Sequence, residues 1–351
     1  MRLADAAEGV FARHETFHPR YGWFRKAYAT AAANERGFTA DDAPVAIGVG
    51  KNMVRSIKFW GLAAKIITSD PESVNKRSPD MIPTRFGHSL FGPDGWDPYM
   101  EDPGTVWLLH WMLLTPPSLL PVWWLAFNEL HAVNFDDEML AGAITAQIEA
   151  AGAWQMPHHT AIEKDVSALL RTYAPAVRTS RTSFDDLLDC PMRELGLIVH
   201  SAATGNHRFV LGPKPTLPDE IVALAVLDYL SRCRQGGRTI TLAHLANEPG
   251  SPGRAFRLGE QDLHVALGRI AKKQPSMELL ATTGAQQVAW TTAAAEIAVA
   301  VLNDYYETKP EAPAIGPDGD EPVDLDLLLE RSPAMSRLRE ASARNRTEAV
   351  A

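Results

Sequence analysis

The alternation of hydrophobic and polar positions is clearest between Gly48 and Ile67, where the sequence is GVGKNMVRSIKFWGLAAKII. Apolar residues recur there at three- and four-residue spacing and no proline interrupts them, so the pattern predicts one amphipathic helix. The apolar face contains Met53, Ile57, Trp60, Ala64 and Ile67. The opposite face contains Lys51, Arg55, Lys58 and Lys65, which a helical wheel places within roughly 80° of one another.

The basic face of this helix has two explanations. A stripe of charge on a surface helix is often simply solvated. Here no acidic residue lies within the stripe, so an ion pair one helical turn away does not account for it. We therefore favour a helix that contacts a nucleic acid, with Asn52 beside the basic residues at its start.

The residues around the basic helix predict a winged-helix domain. A short helix within Phe38–Val49 and a turn at Gly48–Gly50 precede it, which gives a helix-turn-helix order. The segment Met81–Leu90 has the apolar and polar pattern of a wing. Further contacts to the DNA backbone are predicted for the bases of the upstream HPRYGWFRK segment, namely Arg20, Arg25 and Lys26.

The chain of 351 residues is long enough for two or three domains. A helix, a short strand, further helices and a hairpin between Pro218 and Thr292 predict a second winged helix. Its helix from Glu260 to Lys272 mixes acids and bases, so we expect dimerisation or partner binding there rather than DNA reading. The predicted fold class is mainly α with small β wings, in tandem winged-helix domains. The predicted divisions are residues 1–130 (DNA-binding domain), 131–215 (helical middle region), 216–307 (second winged-helix-like domain) and 308–351 (acidic linker and tail).

The net charge of −9 argues against DNA as a partner only until its distribution is considered. Residues 311–330 hold seven acids and no base, whereas residues 45–90 hold seven bases and three acids. Steering by the local field depends on the patch more than on the total. Overall acidity therefore weakens the DNA hypothesis without removing it.

Other features limit the class of protein. No apolar run is long enough to span a membrane, and the N-terminus lacks the apolar core of a signal peptide. The two cysteines, Cys190 and Cys233, cannot form a zinc site or a disulfide scaffold alone. We expect a cytoplasmic protein with reduced thiols.

Three patterns suggest chemistry. His14-Glu15-Thr16-Phe17-His18 matches HExxH, the zinc-peptidase spacing, but Pro19 directly after it disfavours the helix that both ligands need. The GVGKN segment lacks the glycine spacing and the Ser or Thr of a nucleotide-binding loop, so no nucleotide or organic cofactor is expected.

Between Gly92 and Pro103 four carboxylates cluster, and such a cluster can hold Mg²⁺ for phosphodiester hydrolysis. Turns and helix caps use the same residues, and we favour that structural role here.

Three segments together resemble a known family. They are HETFHPRYGWFRK, DAPVAIGVGKNMVRSIKFWGLAAKI and DGWDPYMEDPGTVWLLHWML, and the similarity extends over most of residues 1–300. The chain resembles the B component of Ssp-type bacterial DNA phosphorothioation systems. This resemblance implies a protein that nicks DNA and acts in phage defence beside a cysteine desulfurase, an ATPase and a sulfur-transfer enzyme. It assigns no catalytic residue.

Two hypotheses follow from these observations. In the first, the protein is a DNA nickase that binds double-stranded DNA through the basic helix. If the reaction depends on Mg²⁺ or Mn²⁺, the candidate catalytic ligands are Asp94, Asp97 and Glu101, with His14 and Glu15 as weaker acid–base candidates. In the second, the protein is a non-catalytic adaptor that binds DNA and recruits the modification enzymes. Either protein could act as a homodimer, because winged-helix proteins often bind two half-sites.

Overall fold

The computed structural model describes residues 2–175, 190–232, 237–282 and 285–307, without the side chains of residues 282 and 307. This part of the chain is mainly helical and carries three small antiparallel sheets, which confirms the predicted mainly α class. None of the helices within those ranges is both long and apolar enough to cross a membrane. The acidic tail predicted for residues 308–351 and the thiol of Cys233 lie outside the described residues.

The N-terminal part contains seven helices and one pair of strands. The helices are α1 (Leu3–Ala6), α2 (Trp23–Ala33), α3 (Ala43–Ile47), α4 (Lys51–Ala63), α5 (Arg85–Phe91), α6 (Pro103–Leu114) and α7 (Pro121–Asn128). Strands β1 (Ile67–Ser69) and β2 (Met81–Pro83) pair antiparallel. Helices α6 and α7 are apolar on all sides and almost completely buried, so they form the centre of the hydrophobic core.

The rest of the described chain packs around this centre. It contains α8 (Asp137–Ala151), α9 (His159–Tyr173), a 3₁₀ turn (Pro191–Leu195), and the antiparallel pair β3 (Ile198–His200) and β4 (His207–Phe209). Five more helices follow, namely α10 (Asp219–Arg232), α11 (Leu242–Asn247), α12 (Pro252–Phe256), α13 (Glu260–Ala271) and α14 (Ala294–Glu307). Strands β5 (Thr239–Thr241), β6 (Met277–Thr282) and β7 (Ala285–Trp290) form one antiparallel sheet in the order β5-β7-β6.

Helix α4 is shorter than its hydrophobic pattern predicts. Gly48 has a left-handed φ of 73° that ends α3, and Gly50 precedes the first residue of α4. The helix ends at Ala63 because Lys65 takes a left-handed φ of 59°, which redirects the chain into β1. The prediction of one helix through Ile67 was therefore wrong at its C-terminal end.

The predicted wing at Met81–Leu90 is also only partly strand. Residues Met81–Pro83 pair with β1, but the chain then forms α5. The reason is Thr84, whose Oγ1 accepts a hydrogen bond from the amide of Gly87 at 2.7 Å and caps the start of the helix.

Candidate nucleic-acid interface

The first two turns of α4 present the polar residues that the sequence predicts to contact DNA. Lys51, Asn52 and Arg55 are exposed, whereas Val54 and Ile57 are buried on the opposite side. The amphipathic pattern thus places these three side chains on one surface. We call Lys51, Asn52 and Arg55 the basic face of α4.

Lys26 lies beside the turn that leads into α4. Its Nζ donates a hydrogen bond to the carbonyl oxygen of Ile47 at 2.8 Å, at the C-terminal end of α3. A cation at this end of a helix is favourable because the last carbonyl groups carry partial negative charge. Lys26 is exposed at the same time, so it extends the positive surface from α4 towards α2.

The two basic residues further along the predicted stripe differ from the first three. Lys58 is half-buried, and this desolvation lowers the pKa of its ammonium group, an effect that Asp80 opposes. Lys65 follows the end of the helix, and its Nζ donates to the carbonyl oxygens of Met112 and Thr115 at 2.5 Å and 2.9 Å. Lys65 therefore caps α6 and does not continue the basic face.

Arg20 and Arg25 make contacts with aromatic rings. The guanidinium of Arg20 lies 5.7 Å from the ring centroid of Trp23, and that of Arg25 lies 4.3 Å from the ring centroid of Tyr99. Arg25 is exposed, whereas Arg20 is half-buried. Of the two, Arg25 has the more accessible charge for a partner on the surface of α2.

The HExxH segment does not form a helix, so its histidines do not lie one helical turn apart as a zinc peptidase requires. His14 is buried, and its Nε2 lies 2.6 Å from Oδ1 of Asp165 on α9. Glu15 instead faces α4, where its Oε1 lies 3.6 Å from Nη1 of Arg55. The HExxH segment therefore lacks the helical geometry of a zinc-peptidase site, as Pro19 indicated. The basic face has an acidic neighbour that its own helix does not supply.

The carboxylates proposed as metal ligands have separate environments. Asp94 and Glu101 are exposed, whereas Asp97 is buried. The two oxygens of Asp97 accept hydrogen bonds from the amides of Glu101 at 2.9 Å and Asp102 at 3.0 Å. Across the described ranges, no group of three or more His, Cys, Asp or Glu side chains is placed to hold a metal ion. As they are placed, the three predicted ligands do not form a Mg²⁺ site.

The same segment makes contacts that the sequence alone did not predict. The Trp96 ring stacks on that of Tyr306 in α14, with centroids 4.9 Å apart. Asp102 caps α6 by accepting from the amide of Gly104 at 2.7 Å, and it also accepts from the hydroxyl of Tyr305 at 2.8 Å. The DGWDPYMEDP segment thus fastens α14 to the start of α6. A clue was available in its Trp and its helix-capping Asp, but the partners lie about 200 residues away.

Comparison with known proteins agrees with this architecture. A family model described as "Protein of unknown function (DUF4007)" matches residues 11–306. The chain belongs to the DUF4007 family. No curated protein matches the chain.

Two solved structures that are similar to this chain carry the name SspB. One is described as the SspB crystal structure, and it is 36% identical with a TM-score of 0.83, covering 98% of this chain and 100% of the other. The second is described as a magnesium ion-bound SspB crystal structure, with the same identity and TM-score and coverages of 98% and 99%. Similarity over nearly the whole length confirms the resemblance that the three sequence segments indicated.

Proposed function

We propose that this DUF4007 protein binds double-stranded DNA through the basic face of α4 and acts in DNA phosphorothioation as a nicking endonuclease. The observation that supports binding most directly is the exposure of Lys51, Asn52 and Arg55 together at the start of one helix. In helix-turn-helix proteins the N-terminal residues of the second helix contact base edges. The similarity to SspB supports the role in phosphorothioation, and with it a partnership with the other proteins of such a system.

The order of elements around α4 supports a winged-helix interpretation. Helices α2, α3 and α4 are followed by the antiparallel strands β1 and β2, with residues 70–80 between them as a wing. The order α10, β5, α11, α12, α13, β6, β7 supports a second such domain. Cleavage by the first domain would need a group that activates a nucleophile at the scissile phosphate.

The second winged-helix-like unit is the weaker candidate for DNA. Two basic residues form ion pairs with α10. Arg269 in α13 lies 3.1 Å from Asp219, and Lys273, just after the helix, lies 2.9 Å from Glu220. These charges are partly neutralised within the protein. We assign this unit to contacts with partner proteins or with a second copy in a homodimer.

A non-catalytic DNA-binding adaptor is the second candidate function. Its support is the placement of Asp94, Asp97 and Glu101, which do not converge on a metal site. An adaptor would share the interface on α4 and leave strand cleavage to another protein. The two functions differ only in whether the purified protein cuts DNA.

One experiment distinguishes them. Purified protein is incubated with supercoiled plasmid and Mg²⁺ or Mn²⁺, with EDTA as control, beside a mobility-shift assay on linear duplex. We expect a shift and open-circle product from the wild type, and neither from the Lys51→Ala/Arg55→Ala double variant. Lys272→Ala, which removes an exposed charge at the end of α13, is the control that should behave like the wild type. A shift without nicking supports the adaptor, and no shift with any DNA refutes both candidates.

A further inference from the structure

A strained turn lies between α4 and α9. Ala12, Glu15 and Thr16 have left-handed φ values of 53°, 51° and 65°, a conformation that residues other than glycine rarely adopt. Such strain persists only where the surrounding structure fixes it, and it is concentrated at functional positions. The shape of this turn, with three strained residues within five positions, therefore needs a physical explanation.

Buried polar contacts hold the turn from both sides. Asp165 of α9 accepts from the amide of Ala12 at 2.9 Å and pairs with His14 at 2.6 Å, with both side chains almost fully buried. From α4, the Oγ of Ser56 donates to the carbonyl oxygen of His14 at 3.0 Å. The position of the next residue, Glu15, is therefore set by the protein interior rather than by solvent.

The turn delivers one side chain to the DNA-facing surface. Glu15 lies 3.6 Å from Arg55, and their side chains are 34% and 57% exposed. An ion pair as exposed as this contributes little to stability, so stability alone does not explain a strained turn built to form it. Apart from stability, the ion pair can affect the orientation of the Arg55 guanidinium.

The chemistry of arginine shows what this orientation can do. A guanidinium held in one plane can donate two parallel hydrogen bonds to O6 and N7 of guanine, whereas a freely moving one also binds phosphates without regard to sequence. A carboxylate 3.6 Å away biases the guanidinium towards one orientation by its charge and repels a phosphate from the same place. Arg55 also lies in the part of a helix-turn-helix second helix that reaches base edges.

We propose that Glu15 is a specificity-determining residue, which orients Arg55 to recognise a guanine in the major groove. The assignment rests on the proposed binding of DNA by α4. Asp165 and His14 are positioning residues in this scheme because they fix the turn that carries Glu15. In this assignment the HExxH segment has a function other than metal binding.

The test is selection from a randomised duplex library, followed by sequencing, with wild type, Glu15→Gln and Arg55→Lys. Glu163→Gln, which removes a carboxylate from the exposed side of α9, is the matched control. We expect the wild type and the control to enrich guanine at one position. Both Glu15→Gln and Arg55→Lys should lower that enrichment at least about fivefold, the lower end of what a bidentate contact provides.

A second measurement separates orientation from folding. In mobility shifts over a salt series, Glu15→Gln should bind unselected duplex more tightly than wild type, with a salt slope steeper by about 0.9 if Arg55 gains a phosphate. A misfolded variant would lose affinity instead. Wild-type binding with unchanged guanine enrichment in Glu15→Gln would overturn this assignment alone. Failure of the wild type to bind any duplex would overturn the proposed function and the assignment with it.

Discussion

Replacement of Asp97 by Asn separates a structural carboxylate from a catalytic one. Both oxygens of Asp97 accept amide hydrogen bonds, from Glu101 and Asp102, and the residue is only 7% exposed. An asparagine keeps one acceptor and sets an NH₂ group against the second amide. Hydrogen bonds to a charged group contribute about 1.5–3 kcal/mol each, so we expect a loss of about 2 kcal/mol in the free energy of unfolding.

That loss has a measurable size. At this chain length 1 kcal/mol corresponds to a change of about 2 °C in Tm, so Asp97→Asn should melt about 4 °C below the wild type by circular dichroism. Asp94→Asn and Glu101→Gln, which alter exposed side chains, should leave the Tm within about 1 °C. At 25 °C the Asp97→Asn protein remains folded, so its plasmid-nicking rate can be compared directly with that of the wild type.

Two results would refute this reasoning. An unchanged Tm with a nicking rate more than about a hundredfold lower would place Asp97 at the reacting phosphate, because loss of one transition-state contact has an effect of that order. An unchanged Tm together with an unchanged rate would show that the turn does not depend on its carboxylate.

Three further predictions concern DNA binding and stability. In mobility shifts from 50 to 200 mM salt, Lys51→Ala should lower the salt slope by about 0.9. Arg55→Ala, at a residue assigned to a base, and Lys58→Ala, at a half-buried position, should change the slope less. A change for Lys58→Ala as large as that for Lys51→Ala would contradict the exposures. Burial lowers the pKa of His110 from 6.5 to about 4, so the folded state keeps this side chain neutral. Because the unfolded chain takes up a proton between pH 6.5 and 4, the free energy of unfolding should fall by about 3 kcal/mol over that range. Urea titrations should show this contribution in the wild type and not in His110→Gln. A Cβ on Gly87 would lie 2.1 Å from a backbone oxygen, so Gly87→Ala should destabilise the protein at α5 by at least about 1 kcal/mol. The same urea titration measures this loss, and an unchanged unfolding midpoint would contradict the predicted clash.

The basic face of α4 could be predicted from the sequence because a helix places residues by a local rule. Period and charge were enough to separate Lys51 and Arg55 from Ile57 and Trp60. The end of the helix could not be predicted in this way. It depends on Lys65, whose ammonium group satisfies carbonyl groups at the end of α6, some 50 residues further along the chain.

The HExxH segment shows the opposite case, in which a sequence pattern suggested the wrong geometry. Pro19 correctly argued against a continuing helix, and the structure has none there. The shape of the segment depends on Asp165 and Ser56, which are 151 and 42 residues from His14. No local pattern contains such distant partners. The sequence could therefore argue against the zinc site through Pro19, but it could not predict the buried turn that the segment forms instead.

The DGWDPYMEDP segment connects the proposed DNA surface to the C-terminal part of the chain. Tyr99 packs under Arg25 on α2, while Trp96 stacks on Tyr306 of α14. Trp96 and Tyr99 are three positions apart, so one short turn contacts both α14 and α2. The placement of the segment is thus better explained by these packing contacts and by the capping of α6 than by metal binding.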